Sequence, residues 1–456
     1  MATPTRPPAP LPPGPRGGRL RHLVARLRDF PGLLDELHGR YGDIVSYRVL
    51  NRNFCAVSDP GMIREVLVTK RESFHKTAGY KDLRPMRNPT IATADGEEHT
   101  RRRKLFQPSF GSRGMAAYSE IMVEKAHVMR EGWQDGQAID AAAEMHDLAM
   151  GVAVTAFFGR DMQVDPKIGK AALDGILWDF VLGALPFTRL LRALPLPGNL
   201  RAERAWRALD EVVHEVIRRA RNSIIKRTDM ISLLVNARDD EGIERPFSDD
   251  EVRDEAFVLL MVGHETSSSA MTWCLDHVMR NPVVRDRLEQ EVDEVVGDRP
   301  IVPADHSSLP YARAVFNEAL RHTPPIFFLG REAIEDCTIG GYRIRKGTIV
   351  QPCIRVVHHC PAHYADPDTF DPARWTDPAT VRRMRHAYFP FGYGSRMCIA
   401  WAFATMEAVY ALASIVQRWR IEPVLTGPTP VNSTGVYRVG GALPAIVRER
   451  RGSNAR

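Results

Sequence analysis

The chain has 456 residues, 44% hydrophobic and 26% charged, an ordinary globular composition able to bury a substantial core. Its net charge of +6 is concentrated at the ends: residues 1–28 hold six arginines and no acid, and residues 447–456 hold four arginines and one glutamate, which leaves the body at −3. A nucleic-acid-binding face would need cations clustered on the folded body, so that class is set aside.

Six cysteines at irregular spacing, Cys55, Cys274, Cys337, Cys353, Cys360 and Cys398, with no secretory apolar segment, point to a reducing compartment, and the protein is expected to be cytoplasmic. No stretch approaches the apolar run that a membrane span needs. Residues 1–22 are expected to form a flexible Pro/Arg-rich leader, and residues 23–456 a single domain. The Arg-rich RLRHLVARLRDF keeps organelle import as a second reading of the start.

Beyond the leader, helical periodicity dominates: GLLDELHGRYG, GMIREVLV, AYSEIMVEKAHVMREGW, RAWRALDEVVHEVIRRARN, and the segments around Arg253, Glu318 and Phe403. Strand-like stretches are few: DIVSYRVL, NFCAVS and GYRIRKGTIVQP. The fold class expected is mainly α with a small β subregion.

Ser248-Asp249-Asp250-Glu251 is a capping-box pattern and Asn281-Pro282 a stop, which predicts a helix of about 32 residues, roughly 48 Å long. Its run AFVLLMVG is apolar on every face, as in a buried helix. Yet Gly263, His264, Glu265, Thr266 and Ser267–Ser269 follow. Gly263 costs about 1 kcal/mol relative to alanine there, and a buried Glu265 costs more unless paired or wetted. One reading has the hydroxyls bond back to helix carbonyls. The other has the helix widen beside a cavity, with Glu265 and Thr266 handling protons. The helix alone leaves both open.

The second informative stretch is AYFPFGYGSRMCIAWAFATMEAVYAL, Ala387 to Leu412. Gly392 and Gly394 allow a tight turn, Arg396 offers a charged fork, and Cys398 stands just before a long apolar helix, where the helix dipole favours a thiolate.

Phe391 to Ala400, FGYGSRMCIA, resembles the haem-binding loop F-x-x-G-x-R-x-C-x-G/A of the cytochrome P450 family. The Gly263 segment is similar to that family's oxygen-binding helix, Glu318 and Arg321 to its E-x-x-R, and His99 with Arg103 to the H-x-x-x-R of soluble bacterial members; Arg331 and Arg374 fall at family positions. The motifs run in order along nearly the whole chain.

The resemblance implies the cytochrome P450 fold around a buried haem b, with Cys398 as thiolate ligand of the iron. Phe391 would shield the sulfur. His99, Arg103, Arg331 and Arg396 would hold the haem propionates. Glu318, Arg321 and Arg374 would form a structural charge triad. Gly263 would let oxygen and haem approach the helix, Thr266 would position dioxygen or its water, and Glu265 would relay protons. Val262, Ile326, Phe327, Thr434 and Val436, with the segments TAGYKDLRPMRNPTIATADG and ILWDFVLGALPF, would line the substrate pocket. His264 is given no catalytic role, and His358-His359-Cys360-Pro361-Ala362-His363 is read as a loop rather than a zinc site.

The implied activity is monooxygenation of a mid-sized hydrophobic molecule, such as a terpene, fatty acid or polyketide, in secondary metabolism. Only 58 residues follow Cys398, so electrons would come from a separate iron-sulfur ferredoxin and its reductase. Arg101, Arg102, Lys104, Arg382, Arg383 and Arg385 are candidate docking cations, or else simply solvated. Two other readings share the fold. A peroxygenase would replace the acid–alcohol pair, and a non-catalytic haem-thiolate sensor or carrier would have no use for it.

Overall fold

The structure, a computed structural model, describes residues 9–77, 86–160, 188–222, 229–236 and 247–450, together with residues 171, 174, 175, 178, 179 and 182. Contacts gather the chain into two compact units. One comprises residues 1–78, 326–369 and 379–398, the other residues 79–325, 370–378 and 399–456.

The first unit holds the principal sheet. Strand Ile44–Val49 pairs antiparallel with Arg52–Val57, which pairs parallel with Ile349–Pro352; Arg331–Ala333 and Phe74–His75 complete the five strands. Alternation in DIVSYRVL buries Tyr47, whose hydroxyl donates to Gln351 Oε1 at 2.6 Å. The leader is tied down earlier than expected. Ser46 N donates to Pro13 O at 2.7 Å and Arg343 N to Pro10 O at 2.8 Å, and a helix begins at Arg19. Prolines lack amide donors but keep their carbonyls, so a Pro-rich segment can satisfy a sheet edge as an acceptor.

The second unit is helical. Its axis of organisation is the helix Asp249–Arg280, 32 residues long as the sequence predicts. Both halves of the capping box form: Glu251 N donates to Ser248 Oγ at 3.2 Å, and Ser248 N to Glu251 Oε2 at 3.0 Å. Such a cap contributes about 1 kcal/mol. Helix Ala141–Phe158 packs along it more extensively than any other described element, with Ser112–Glu131, Pro310–His322 and Trp401–Arg418 adding further layers. A three-stranded sheet of Ala138–Asp140, Pro444–Glu449 and Trp419–Pro423 and a two-stranded ribbon, Val431–Asn432 with Arg438–Val439, are also present. Among the described residues no helix is long and apolar enough to cross a membrane.

Candidate active site

In the first unit, the Cys398 loop is fixed by its glycines and by its own backbone. Gly394 has φ 72°, in the left-handed region, and a Cβ there would lie 2.7 Å from Leu67 O, so only glycine fits. Met397 N donates to Gly394 O at 3.1 Å and Cys398 N to Phe391 O at 2.9 Å. The approach to the loop is pinned as well: the Tyr364 hydroxyl donates to Ala387 O at 3.1 Å, Tyr393 Oη to Arg385 O at 3.0 Å, and Phe389 N to His358 Nε2 at 3.2 Å. The histidine-rich segment thus serves the architecture, since buried His358 braces the loop and His359 pairs with Asp368 at 3.0 Å.

Of the six cysteines, Cys398 is the exposed one; Cys55, Cys274 and Cys353 are buried, and Cys337 and Cys360 half-buried. Burial pushes the Cys353 thiol up to about 12 and those of Cys55 and Cys274 well above the usual range, so these remain protonated and inert. Phe391 and Arg396 are half-buried in the loop. Arg331 is buried in its strand, with Nη1 donating to Gly330 O at 2.8 Å. Ile326 is half-buried. Phe327, expected in the pocket, is 1% exposed and packs instead in an aromatic cluster, 5.6 Å from the Phe30 ring and 5.0 Å from that of Phe328. The run PPIFFLG carries too little pattern to tell a pocket face from a core face.

In the second unit, the long helix is buried along most of its length but opens at one place: Val262 is 53% exposed, and Gly263 and Thr266 are partly accessible. The helix does not widen there. It stays α-helical, and its hydroxyls close it, with Thr266 Oγ1 donating to Val262 O at 2.9 Å, Ser268 Oγ to Glu265 O at 3.1 Å and Thr272 Oγ1 to Ser268 O at 2.7 Å. The side-chain direction of Gly263 belongs to packing rather than to a ligand: a Cβ would meet Phe157 Cε2 at 2.8 Å. Glu265 is buried and paired, its Oε1 2.9 Å from Arg438 Nη1. Arg438 follows the turn bearing exposed Thr434 and half-buried Val436, and the same ribbon offers Tyr437 O to Ser269 Oγ at 2.8 Å and Trp273 Nε1 at 3.0 Å. The C-terminal segment therefore reaches the helix through Tyr437 and Arg438. The Arg438 partnership has no local signal in the sequence.

His264 is fully buried, which lowers its pKa to about 4, and its Nδ1 donates to Leu260 O at 2.6 Å. On helix Trp401–Arg418, Glu407 is buried with no hydrogen bond of ordinary geometry to either oxygen. Burial raises its pKa to about 8, although nearby Ser267 offsets part of the shift.

Glu318 and Arg321 are completely buried and doubly bonded, at 2.8 and 2.9 Å; Arg374 Nε lies 3.3 Å from Glu318 Oε1, and Trp375 Nε1 donates to Oε2 at 2.9 Å. The triad forms, with Trp375 as a fourth member. His99, buried, and Arg103, half-buried, sit one turn apart on helix Gly96–Phe106.

Arg102, between them, is not a docking residue. It is 1% exposed and bridges Glu98 at 2.6 Å, Glu251 at 3.1 Å and Glu255 at 2.7 Å. Burial raises the Glu255 pKa to about 7 against the pull of Arg102. Arg101 is likewise paired, 2.9 Å from Glu98. An RRRK run reads as solvated charge until Glu251 and Glu255 are brought against Arg102 from another helix. Of the proposed pocket segments, residues 78–85, 176, 177, 180, 181 and 183–187 lie outside the described residues.

The cytochrome P450 family model matches residues 8–441. Among curated relatives, cyclooctatin synthase of Streptomyces melanosporofaciens is 35% identical over 84% of this chain and 84% of its own. Cyclooctat-9-en-7-ol 5-monooxygenase of the same organism is 30% identical over 90% and 89%, and pentalenene oxygenase of Streptomyces avermitilis 30% identical over 84% of each. Among solved structures, the cytochrome P450DA heme domain superposes with a TM-score of 0.85 at 26% identity, covering 97% of this chain and 98% of that one. Retinoic acid-bound cyanobacterial CYP120A1 superposes with a TM-score of 0.84 at 25% identity, covering 97% and 100%. With the match running through the exposed thiol loop, the buried triad and the hydroxyl-bearing helix alike, the chain belongs to the cytochrome P450 family.

Proposed function

We propose that this monooxygenase inserts one oxygen atom of O2 into a cyclic terpene, using electrons from a separate iron-sulfur ferredoxin and reductase. The cofactor of the family is haem b. The donors of the Cys398-bearing unit suit it by themselves: one accessible thiol on a loop that its own amides hold in place, with Arg331 and Arg396 as charged forks for carboxylates; His99 and Arg103 are the further candidates on the helical unit. When bound through Cys398, haem supplies the activation of dioxygen that no side chain here can perform.

The chain's residues manage protons and substrate. Thr266 has one hydroxyl proton, and it is spent on Val262 O; its oxygen lone pairs remain to accept from a water at the accessible stretch of the helix. Glu265, held by Arg438, is the acid next in sequence to that hydroxyl and would relay protons towards it. Val262 offers an apolar surface and takes part in no polar contact through its side chain.

The observation that carries the substrate class is the similarity to three relatives whose names denote cyclic or unsaturated carbon skeletons, one of them an oxygenase of pentalenene and one a monooxygenase of cyclooctat-9-en-7-ol. The test is a haem spectral-shift screen across cyclic terpenes, fatty acids and polyketides. Binders are then turned over with NADPH, a surrogate ferredoxin and 18O2. A cyclic terpene that shifts the spectrum and gains one labelled oxygen supports the reading. Shifts confined to fatty acids or polyketides overturn the substrate class, and turnover with peroxide alone overturns the electron route in favour of a peroxygenase.

A further inference from the structure

The geometry points to a second metal site, a three-ligand centre for a zinc-type divalent ion, made by His146, His264 and Glu265. His146 comes from helix Ala141–Phe158 and the other two from helix Asp249–Arg280. One ring nitrogen of each histidine and one carboxylate oxygen of Glu265 lie within 4.8 Å of one another. The two rings meet edge to face, with centroids 5.2 Å apart at 90°.

The hydrogen bonds fix which nitrogen is offered. His264 Nδ1 donates to Leu260 O at 2.6 Å, and His146 Nδ1 to Asp147 Oδ1 at 3.3 Å. Each neutral histidine therefore carries its one in-plane lone pair on Nε2, and in both that nitrogen is buried with no hydrogen-bond partner. An apolar side chain would fill either place without leaving a buried polar atom unsatisfied. Two imidazoles oriented through Nδ1 by a backbone carbonyl and a carboxylate, plus one carboxylate, form the ligand set and supporting shell of a transition-metal centre.

Zinc holds such donors at about 2.0–2.2 Å, which places them about 3.4 Å apart in tetrahedral geometry, so side-chain rotations of order 1 Å close the set. His146 is the half-buried member, its side chain 19% exposed, and water would complete the coordination. Glu265 Oε1 is engaged by Arg438 at 2.9 Å, so the ion competes with the guanidinium for the carboxylate, and while the ion is bound Glu265 cannot also relay protons to Thr266. Imidazole and carboxylate donors favour zinc, copper or nickel over magnesium or calcium.

The test is zinc itself. Haem-loaded protein, stripped with a chelator, is dialysed against buffered free Zn²⁺, and bound metal is counted by atomic absorption, with the reduced carbon monoxide spectrum as the check on folding. Wild type should bind one equivalent. His146→Ala and Glu265→Gln should each weaken binding by at least the roughly 10- to 100-fold cost of losing a second-shell partner, and Asp147→Asn by less. His146→Gln, which keeps the size of a half-buried side chain, guards against a folding artefact. No bound zinc, or equal binding by wild type and the variants, would overturn the site; loss on Glu265→Gln alone would assign the metal to another carboxylate centre and overturn the histidine ligands.

Discussion

Cys398 differs from the other five cysteines in exposure rather than in chemistry. The thiol is presented by a turn that only glycine can make at Gly394, and the other thiols are held protonated by burial or half-covered. Cys398→His should therefore abolish the red-shifted carbon monoxide band of a thiolate-ligated reduced haem; persistence of that band would remove Cys398 as ligand. Thr266 spends its proton on Val262 O, so in the proposed reaction it would act as an acceptor that places a water. Thr266→Ala should keep haem and substrate binding but divert much of the NADPH flux to peroxide, and unchanged coupling of NADPH to product would take Thr266 out of the mechanism.

At the scale of elements, the long helix shows two constraints meeting in five residues. Its accessible stretch at Val262 and Thr266 is what the proposed function uses, and Gly263 beside it serves the crossing of helix Ala141–Phe158. Gly263→Ala gains about 1 kcal/mol of helix propensity but forces the buried Phe157 ring aside, an overpacking cost of about 1–3 kcal/mol. A net loss of about 1 kcal/mol in urea unfolding is expected, recovered in part by adding Phe157→Leu; a more stable single variant would show that the ring yields freely. Arg102 makes the same point for charge. Replacing it would strand Glu251 and Glu255 in the interior, so a reversal there tests folding and not partner docking.

For the molecule as a whole, two predictions concern charge. The Glu407 carboxyl has its pKa raised to about 8 by burial, against about 4.5 in the unfolded chain. Its native form binds the proton more tightly, so its stabilising contribution is full below the unfolded value and is lost as pH rises towards 8, at about 1.4 kcal/mol per pH unit. Glu407→Gln should flatten the fall in stability between pH 5 and 8 relative to wild type; parallel curves would show that Glu407 is not the titrating group. With Arg102 withdrawn from any docking surface, the candidate cations exposed in the Cys398-bearing unit are Arg382, Arg383 and Arg385. If ferredoxin uses them, its electron transfer should slow with salt, since exposed charges are screened over about 8 Å. Arg382→Glu with Arg385→Glu should slow haem reduction without altering substrate affinity; indifference to both salt and reversal would move the docking surface elsewhere.

The family, the 32-residue helix with its capping box, the Cys398 loop and the Glu318–Arg321–Arg374 triad were legible from the sequence alone. Each is written in local spacing: caps, periodicity, glycine position and charges one turn apart. What only the tertiary structure decided are the pairings between distant segments. Arg438 reaches Glu265, Phe157 explains Gly263, Glu251 and Glu255 bury Arg102, Phe30 draws Phe327 into the core, and His146 meets His264. The physical reason is common to all five. Whether a polar or apolar side chain faces solvent, a ligand or the core depends on what another helix or strand brings against it, and no periodicity along one segment records the far partner.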